Sequence, residues 1–336
     1  MALPEQRSTA DIRREPPGVT LANPALPPVL VAAPLPPFTM AALDAVATVH
    51  RLWEGVDQDT MAGIRGMAAS TLAGPVGEVL FARMPALEIV ANFGVGYDNI
   101  DIAAAVARGL VVTNTAGVLD EEVADLTIAL LLATIRRLPA AERHVREGHW
   151  LEQAFPLSPS LRGRRVGIVG LGGIGKAIAR RLTGFAVDLA WHGRSEQPGA
   201  PWPRYPSVEA LAAACDVLIV IVPGGLATRH LIDARVLAAL GADGVLINVS
   251  RGSVVDEAAL IEALQQGTIL AAGLDVFEHE PRVPEALLAL GNVVVLPHIG
   301  SASLVTRRAM GQMMVDNLAA WFATGQALTP VPETRG

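Results

Sequence analysis

Arg164-Arg165-Val166-Gly167-Ile168-Val169-Gly170-Leu171-Gly172-Gly173-Ile174-Gly175-Lys176 decides the fold. A short β-branched run ends in Gly-x-Gly-x-x-Gly, and Lys176–Leu182 then has a helical pattern. This strand–turn–helix context is what a dinucleotide-binding fingerprint needs. Gly170 allows the tight turn, Gly172 lets the backbone approach a pyrophosphate, and Gly175 lets helix and strand pack closely. Leu171, Gly173 and Ile174 complete the loop, and the helix N-terminus offers free N–H groups and a positive dipole end to phosphates.

Working outward, more strands follow at Val187–Trp191, Val217–Val222, Val245–Val249, Ala271–Val276 and Val293–Leu296. With Val166–Val169 they make six, the number in a doubly wound dinucleotide fold. Upstream, Val29–Ala33, Gly63–Ala69, Leu87–Ala91 and Val111–Asn114 are strand candidates, with helix over Phe38–Val49 and near Gly77–Phe81. Alternating strands and helices predict parallel sheets. Glu121–Arg137 reads as a long helix with Val123, Leu126, Leu130 and Ala133 on one face, ended at or just before Pro139. The terminal helix Leu304–Trp321 carries Met310, Met314, Leu318 and Trp321 as a core stripe. Residues 1–27 are polar and proline-rich and are expected to form a mobile tail. Ala140–Arg162, with Trp150 and Phe155, is either an arm against a second subunit or a linker.

The 336 residues suggest about two domains, and 51% apolar composition supplies sizeable cores. The net charge of −7 and the lack of a basic block argue against nucleic acid. One cysteine, Cys215, excludes a disulfide framework. No apolar run reaches the ~18 residues of a membrane span. Arg13-Arg14 is followed by Glu15-Pro16-Pro17-Gly18, where a twin-arginine leader needs an apolar segment. The expectation is a cytoplasmic protein that binds neither nucleic acid nor membrane.

Ligands of open α/β sheets lie beyond the carboxyl ends of the strands. There the chain places the glycine loop, His192-Gly193-Arg194-Ser195, Pro223-Gly224-Gly225, Asn248–Gly252, Asp275 with Glu278-His279-Glu280, and Pro297-His298-Ile299-Gly300. An arginine, carboxylates and a histidine converge on one edge. The acidic residue that NAD enzymes carry about 20 residues past the fingerprint is missing. Arg194 and Ser195 stand there instead and suit a 2′-phosphate, so NADPH/NADP+ is expected in preference to NADH/NAD+. Phe93–Asp101 is a glycine-containing loop after a strand, either a plain turn or an anion cradle.

Leu246–Gly252, Gly273–Pro281 and Leu296–Gly300 resemble the signatures of the D-isomer-specific 2-hydroxyacid dehydrogenases, and Phe93–Asp101 is similar to that family's substrate loop. The resemblance covers about residues 29–325. It implies two Rossmann-like doubly wound α/β domains with a cleft between them. The substrate domain would be 28–118 plus 301–330, and the dinucleotide-binding domain 119–300, with a dimerisation arm around 138–162. It implies that Arg251 holds the substrate carboxylate and polarises the 2-oxo group. His298 would give that oxygen a proton, and Glu280 would pair with His298 and favour its imidazolium form. Val95 and Gly96 would offer N–H groups to the carboxylate, and Asp275 would contact the nicotinamide end. Gly193, Val222, Pro223, Thr228, Val249, Ser250, Arg251, His298 and Gly300 would further line the cofactor. No metal is implied. The resemblance also implies a homodimer, with Trp150 reaching the partner's substrate site. Within the family, Asn114–Asp125 and Gly241–Asp256 look most like glyoxylate/hydroxypyruvate and hydroxyphenylpyruvate reductases. A nucleotide-sensing corepressor is the alternative of a different class.

Overall fold

The computed structural model describes residues 26–335. The tail expected over 1–27 therefore lies, except for residues 26 and 27, outside the described residues.

Two parallel sheets carry the chain. The first holds β1 (Pro28–Val31), β2 (Thr48–Arg51), β3 (Gly66–Ala69), β4 (Ile89–Asn92) and β5 (Val111–Thr113), in the order β2-β1-β3-β4-β5. That order is the flavodoxin-like form of a doubly wound sheet. The second holds β6 (Arg165–Val169), β7 (Asp188–His192), β8 (Val217–Val220), β9 (Val245–Asn248), β10 (Ala271–Leu274) and β11 (Val293–Val295). Its order is β11-β10-β9-β8-β6-β7. Arg204 adds a parallel bridge outside Trp191 of β7. Counted as a strand position between β7 and β8 in the chain, it restores the 3-2-1-4-5-6 order of dinucleotide folds, with β11 as an extra edge. β3, β4, β8, β9 and β10 are fully buried runs, and β1 is buried from Val29 on, as expected of sheets covered on both faces.

Helices cover the sheets where their apolar residues dictate. The terminal helix Leu304–Thr324 packs on helix Pro37–Asp44 and on β4, burying Met310, Met314 and Leu318. Trp321 is only partly buried and donates its indole N–H to Glu88 at 2.9 Å. Beyond this helix the chain returns to the first sheet, where Val331 N–H bonds to Val112 O at 2.8 Å. Helix Asp120–Ile135 packs against helix Gly173–Leu182 and against β9, β10 and β11. It buries Val123, Ala124, Thr127, Ile128, Leu130, Leu131, Thr134 and Ile135. That face is wider than the expected stripe, and Leu126 and Ala133 are only half-buried, because the helix is enclosed on two sides.

The helix expected over Phe38–Val49 ends at Asp44, and after a turn β2 begins at Thr48. This edge strand pairs with β1 alone. Its residues are half-buried to exposed, so it shows no apolar alternation to read. Pro139 lies beyond the long helix and inside the first turn of the next, Leu138–Arg146, where a missing N–H costs nothing. The region read as an arm or linker thus holds that helix and a 3-10 turn, His149–Leu151.

The glycine loop is sterically specified. Gly170 has φ +104°, and a Cβ there would strike Ile221 O. A Cβ on Gly175 would strike Gly170 O, and one on Gly173 the Asp120 carboxylate. A Cβ on Gly172 would enter open space. Gly175→Ala should therefore lower stability by about 1–3 kcal/mol, the usual cost of overpacking. Gly172→Ala should leave it near wild type. Urea unfolding midpoints check the contrast, and equal midpoints for the two variants would refute it.

Candidate active site

The loop after β4 is shaped by Asn92, which is 1% exposed. Its amide donates to Gly94 O at 3.0 Å and to Gly96 O at 2.9 Å. Asn114 holds Val95 O at 2.9 Å. With the carbonyls turned to these amides, the N–H groups of Val95 and Gly96 meet no protein acceptor among the described residues. That leaves a pair of donors free for an anion.

Arg251, just after β9, reaches this loop. Its Nε donates to Asp98 at 3.0 Å and its Nη1 to Ser250 O at 2.8 Å. Its Nη2 occupies the place where a Cβ on Gly96 would stand. Three of the five guanidinium hydrogens remain after those two bonds, enough for a forked grip on a carboxylate. Ser250 is itself fixed, its hydroxyl donating to Asn248 at 2.7 Å.

His298 follows β11 with φ +53°, a left-handed conformation uncommon outside glycine. Asp275 holds it there. Its carboxylate, 1% exposed, accepts the N–H groups of Ile299 and Gly300, each at 2.8 Å. Burial pushes the Asp275 carboxyl above its ordinary range despite those two bonds. His298 Nδ1 lies 2.7 Å from Glu280 Oε2, which leaves Nε2 for a substrate. Glu280 Oε1 accepts from Phe277 N–H at 3.0 Å. Burial alone would raise the Glu280 carboxyl, but His298, the Phe277 N–H and Arg251 together hold it below its ordinary range. Glu278 turns elsewhere, to Arg229 at 2.9 Å and His230 at 3.0 Å.

The other expected residues line the ends of β6, β7 and β8. Helix Gly173–Leu182 opens at Gly173, with Gly172 as its N-cap, while Leu171 is buried and Ile174 half-buried beside it. This bare helix start, with open space over Gly172, fits a pyrophosphate. Val222 packs against the Gly170 turn. The Thr228 hydroxyl donates to Pro223 O at 2.7 Å and closes the loop after β8. Val249 is buried. Arg194 and Ser195 are exposed beside Gly193, and Arg194 makes no ion pair among the described residues. Arg204 bonds to Gly193 O at 2.8 Å and stacks over Trp191 at 5.5 Å, so it frames that turn. Trp150 lies in the 3-10 turn and is 67% exposed. Both oxygens of Asp275 serve the turn that carries His298, and each keeps a lone pair for a further donor.

Sequence reading missed Asn92, Asp98 and Arg204. Asp98 lies inside the loop singled out from sequence, and its charge was the available signal. Asn92 and Arg204 act on backbone carbonyls, for which no spacing rule exists.

A family model described as D-isomer specific 2-hydroxyacid dehydrogenase, NAD binding domain, matches residues 128–300. The chain belongs to the D-isomer-specific 2-hydroxyacid dehydrogenases. It is 42% identical over 308 residues to glyoxylate/hydroxypyruvate reductase A of Arabidopsis thaliana, covering 90% of this chain and 98% of that one. It is also 42% identical, with the same coverage, to hydroxyphenylpyruvate reductase of Plectranthus scutellarioides. Among solved structures it resembles the NADPH-dependent glyoxylate/hydroxypyruvate reductase of Sinorhizobium meliloti in complex with NADP and malonate. That match has a TM-score of 0.88 and 54% identity, covering 92% and 98% of the two chains. As a member of this family the chain is an oxidoreductase that uses a nicotinamide dinucleotide. No helix among the described residues is long and apolar enough to cross a membrane, and no metal-binding cluster occurs among them.

The Glu280–His298 pair carries a pH signature. The folded-state pKa of Glu280 lies below its unfolded value. Ionised Glu280 therefore adds stability at neutral pH, and the contribution is lost as pH falls from the ordinary carboxylate range through the lowered folded value. Glu280→Gln should flatten that part of the acid limb. Urea midpoints taken from neutral to acid pH check it, and an acid limb as steep as in wild type would count against the pair.

Proposed function

We propose that the enzyme reduces a small 2-oxo acid, glyoxylate or hydroxypyruvate, to the D-2-hydroxy acid with NADPH. The observation that carries this reading is the convergence of three elements: the free N–H groups of Val95 and Gly96, the guanidinium of Arg251, and the Glu280–His298 pair. The substrate carboxylate would lie on the two N–H groups and the remaining Arg251 hydrogens. Arg251 also stabilises negative charge growing on the 2-oxo oxygen. Because Nδ1 of His298 faces a carboxylate, the proton to be delivered stands on Nε2. Glu280 stays charged through the transfer and stabilises the imidazolium. The bound nicotinamide supplies the hydride.

Residues 170–175 would hold the pyrophosphate, and Arg194 with Ser195 the 2′-phosphate. The unpaired state of Arg194 supports NADPH over NADH. We assign the first sheet with residues 301–330 to a substrate domain and 119–300 to the dinucleotide domain. The cleft between them would take the ligands. The intact Arg251–Glu280–His298 set favours an enzyme over a corepressor-like nucleotide sensor. The relative that reduces hydroxyphenylpyruvate, by its name, makes aromatic 2-oxo acids the other outcome of a substrate panel. Leu138, Val145, Trp150, Leu151 and Leu157 are all exposed on the arm, large apolar side chains that burial against a partner would cover. They support a homodimer with Trp150 near the partner's cleft.

Four measurements test this. NADPH oxidation should be faster with glyoxylate or hydroxypyruvate than with hydroxyphenylpyruvate, and the opposite order would move the assignment to aromatic substrates. Arg194→Ala should weaken NADPH much more than NADH, while equal losses would remove the 2′-phosphate role. His298→Ala should cost about 10²–10⁴ in turnover at every pH, whereas Glu280→Gln should shift the basic limb of reduction to lower pH. Sedimentation at micromolar concentration should show a dimer, and a monomer would contradict the arm's role.

A further inference from the structure

Glu280 does not set its own position. One of its oxygens faces His298, and the other accepts the N–H of Phe277. The dyad is therefore as well placed as the backbone at Phe277-Glu278. The N–H of Glu278 donates in turn to Glu257 Oε1 at 2.8 Å.

Glu257 opens helix Glu257–Gln266, whose N-cap is Asp256. An acid in a first turn ordinarily stays in water, where the helix dipole already favours it. Glu257 is only 7% exposed. Burial pushes its carboxyl above the ordinary range, and the charges of Glu278 and Glu280 add to that. The Glu278 N–H and His279 oppose it. A buried carboxylate among like charges is costly, and an apolar side chain would avoid that cost. What the carboxylate provides is the bond to the loop.

The same peptide touches a second catalytic element. A Cβ on Gly252 would collide with the carbonyl of Phe277 and the N–H of Glu278. Gly252 directly follows Arg251. The loop bearing Glu280 and the turn bearing Arg251 are thus in backbone contact, with Glu257 fastening the loop. The Glu278 side chain fastens it again through Arg229 and His230.

We propose that Glu257 is a positioning residue, which anchors the Phe277–Glu278 peptide and so holds Glu280 on His298 and in register with Arg251. The inference rests on the reading that His298 delivers the proton. The groups facing Glu257 are Glu278, His279 and Glu280 of the loop and its neighbour Asp256, so its effect is read through the dyad rather than through its own titration.

The test compares Glu257→Met, which keeps volume without an acceptor, with Glu257→Gln, which keeps an acceptor without the charge. Glu257→Ala stands in if the methionine variant does not fold, and an unchanged dissociation constant for NADPH shows that the nucleotide site is intact. Two readouts are taken. One is the pH profile of kcat/KM for reduction of hydroxypyruvate. The other is the downfield proton resonance of the His298 Nδ1–H in the substrate-free protein, assigned by its loss in His298→Gln.

Glu257→Met should move the basic limb to lower pH, about tenfold in kcat/KM above the limb for each pH unit of displacement. It should also shift or abolish the resonance. Glu257→Gln should keep both near wild type. An unmoved limb and resonance in Glu257→Met would overturn the proposal, and so would equal shifts in both variants, which would trace the effect to charge. If the wild-type enzyme turns over no 2-oxo acid, the functional reading fails, and the resonance still decides whether Glu257 holds the dyad.

Discussion

Arg251 lies where a side chain on Gly96 would stand, and this close approach joins the turn after β9 to the loop after β4. The contact is possible only because position 96 lacks a Cβ, and it is directed because Asp98 holds Nε and Ser250 O holds Nη1. A free arginine has about 2 kcal/mol of rotamer freedom to lose on capturing an anion. Here most of that loss is already incurred in the folded protein. Asp98 brings a negative charge near the proposed anion site, which opposes capture of a carboxylate. It acts on the Nε side of the fork, however, and leaves the hydrogens over the substrate loop free. The arrangement favours orientation at the expense of net positive charge.

Buried carboxylates organise the other side of the cleft. Asp275 and Glu257 both sit where burial raises the carboxyl, and both accept backbone N–H groups from loops that follow strands. Asp275 grips Ile299 and Gly300, Glu257 grips Glu278. Glu280 differs. It is about a third exposed and is held below the ordinary range chiefly by its hydrogen bond with His298. The contrast fits the roles proposed above: an anchor needs to accept hydrogen bonds, whereas the partner of the proposed proton donor needs to stay charged.

The parts of this design that were legible in sequence share a property. The glycine loop, the buried strands and the residues just past β9, β10 and β11 are fixed by periodicity, by steric need or by position at a strand end. Each of these leaves a pattern in the chain. β2 was lost because an edge strand with half-buried residues has no apolar alternation. Asn92, Arg204 and Glu257 were lost because their partners are backbone groups distant in sequence or hidden in a loop. A hydrogen bond to an N–H or C=O places no demand on the identity of the residue that carries it, so one side of each pair is silent in sequence. Asp275 shows the intermediate case. Its position at the end of β10 marked it as functional, but only the fold shows that it acts on the backbone behind His298.

This asymmetry explains why the residues proposed to touch ligands were easier to read from sequence than those that hold them. A group that binds a phosphate or moves a proton must be of one chemical type and must stand at a strand end, so type and place coincide. A supporting group needs only an acceptor or donor within reach, which many residue types and many places satisfy. His298 illustrates the consequence. Its φ of +53° is disfavoured for a histidine and finds no cause in its neighbours along the chain. The cause is the Asp275 carboxylate, 23 residues earlier, whose two bonds hold the following turn. The strain at His298 and the burial cost at Asp275 are therefore two sides of one interaction. Each would be hard to account for without the other.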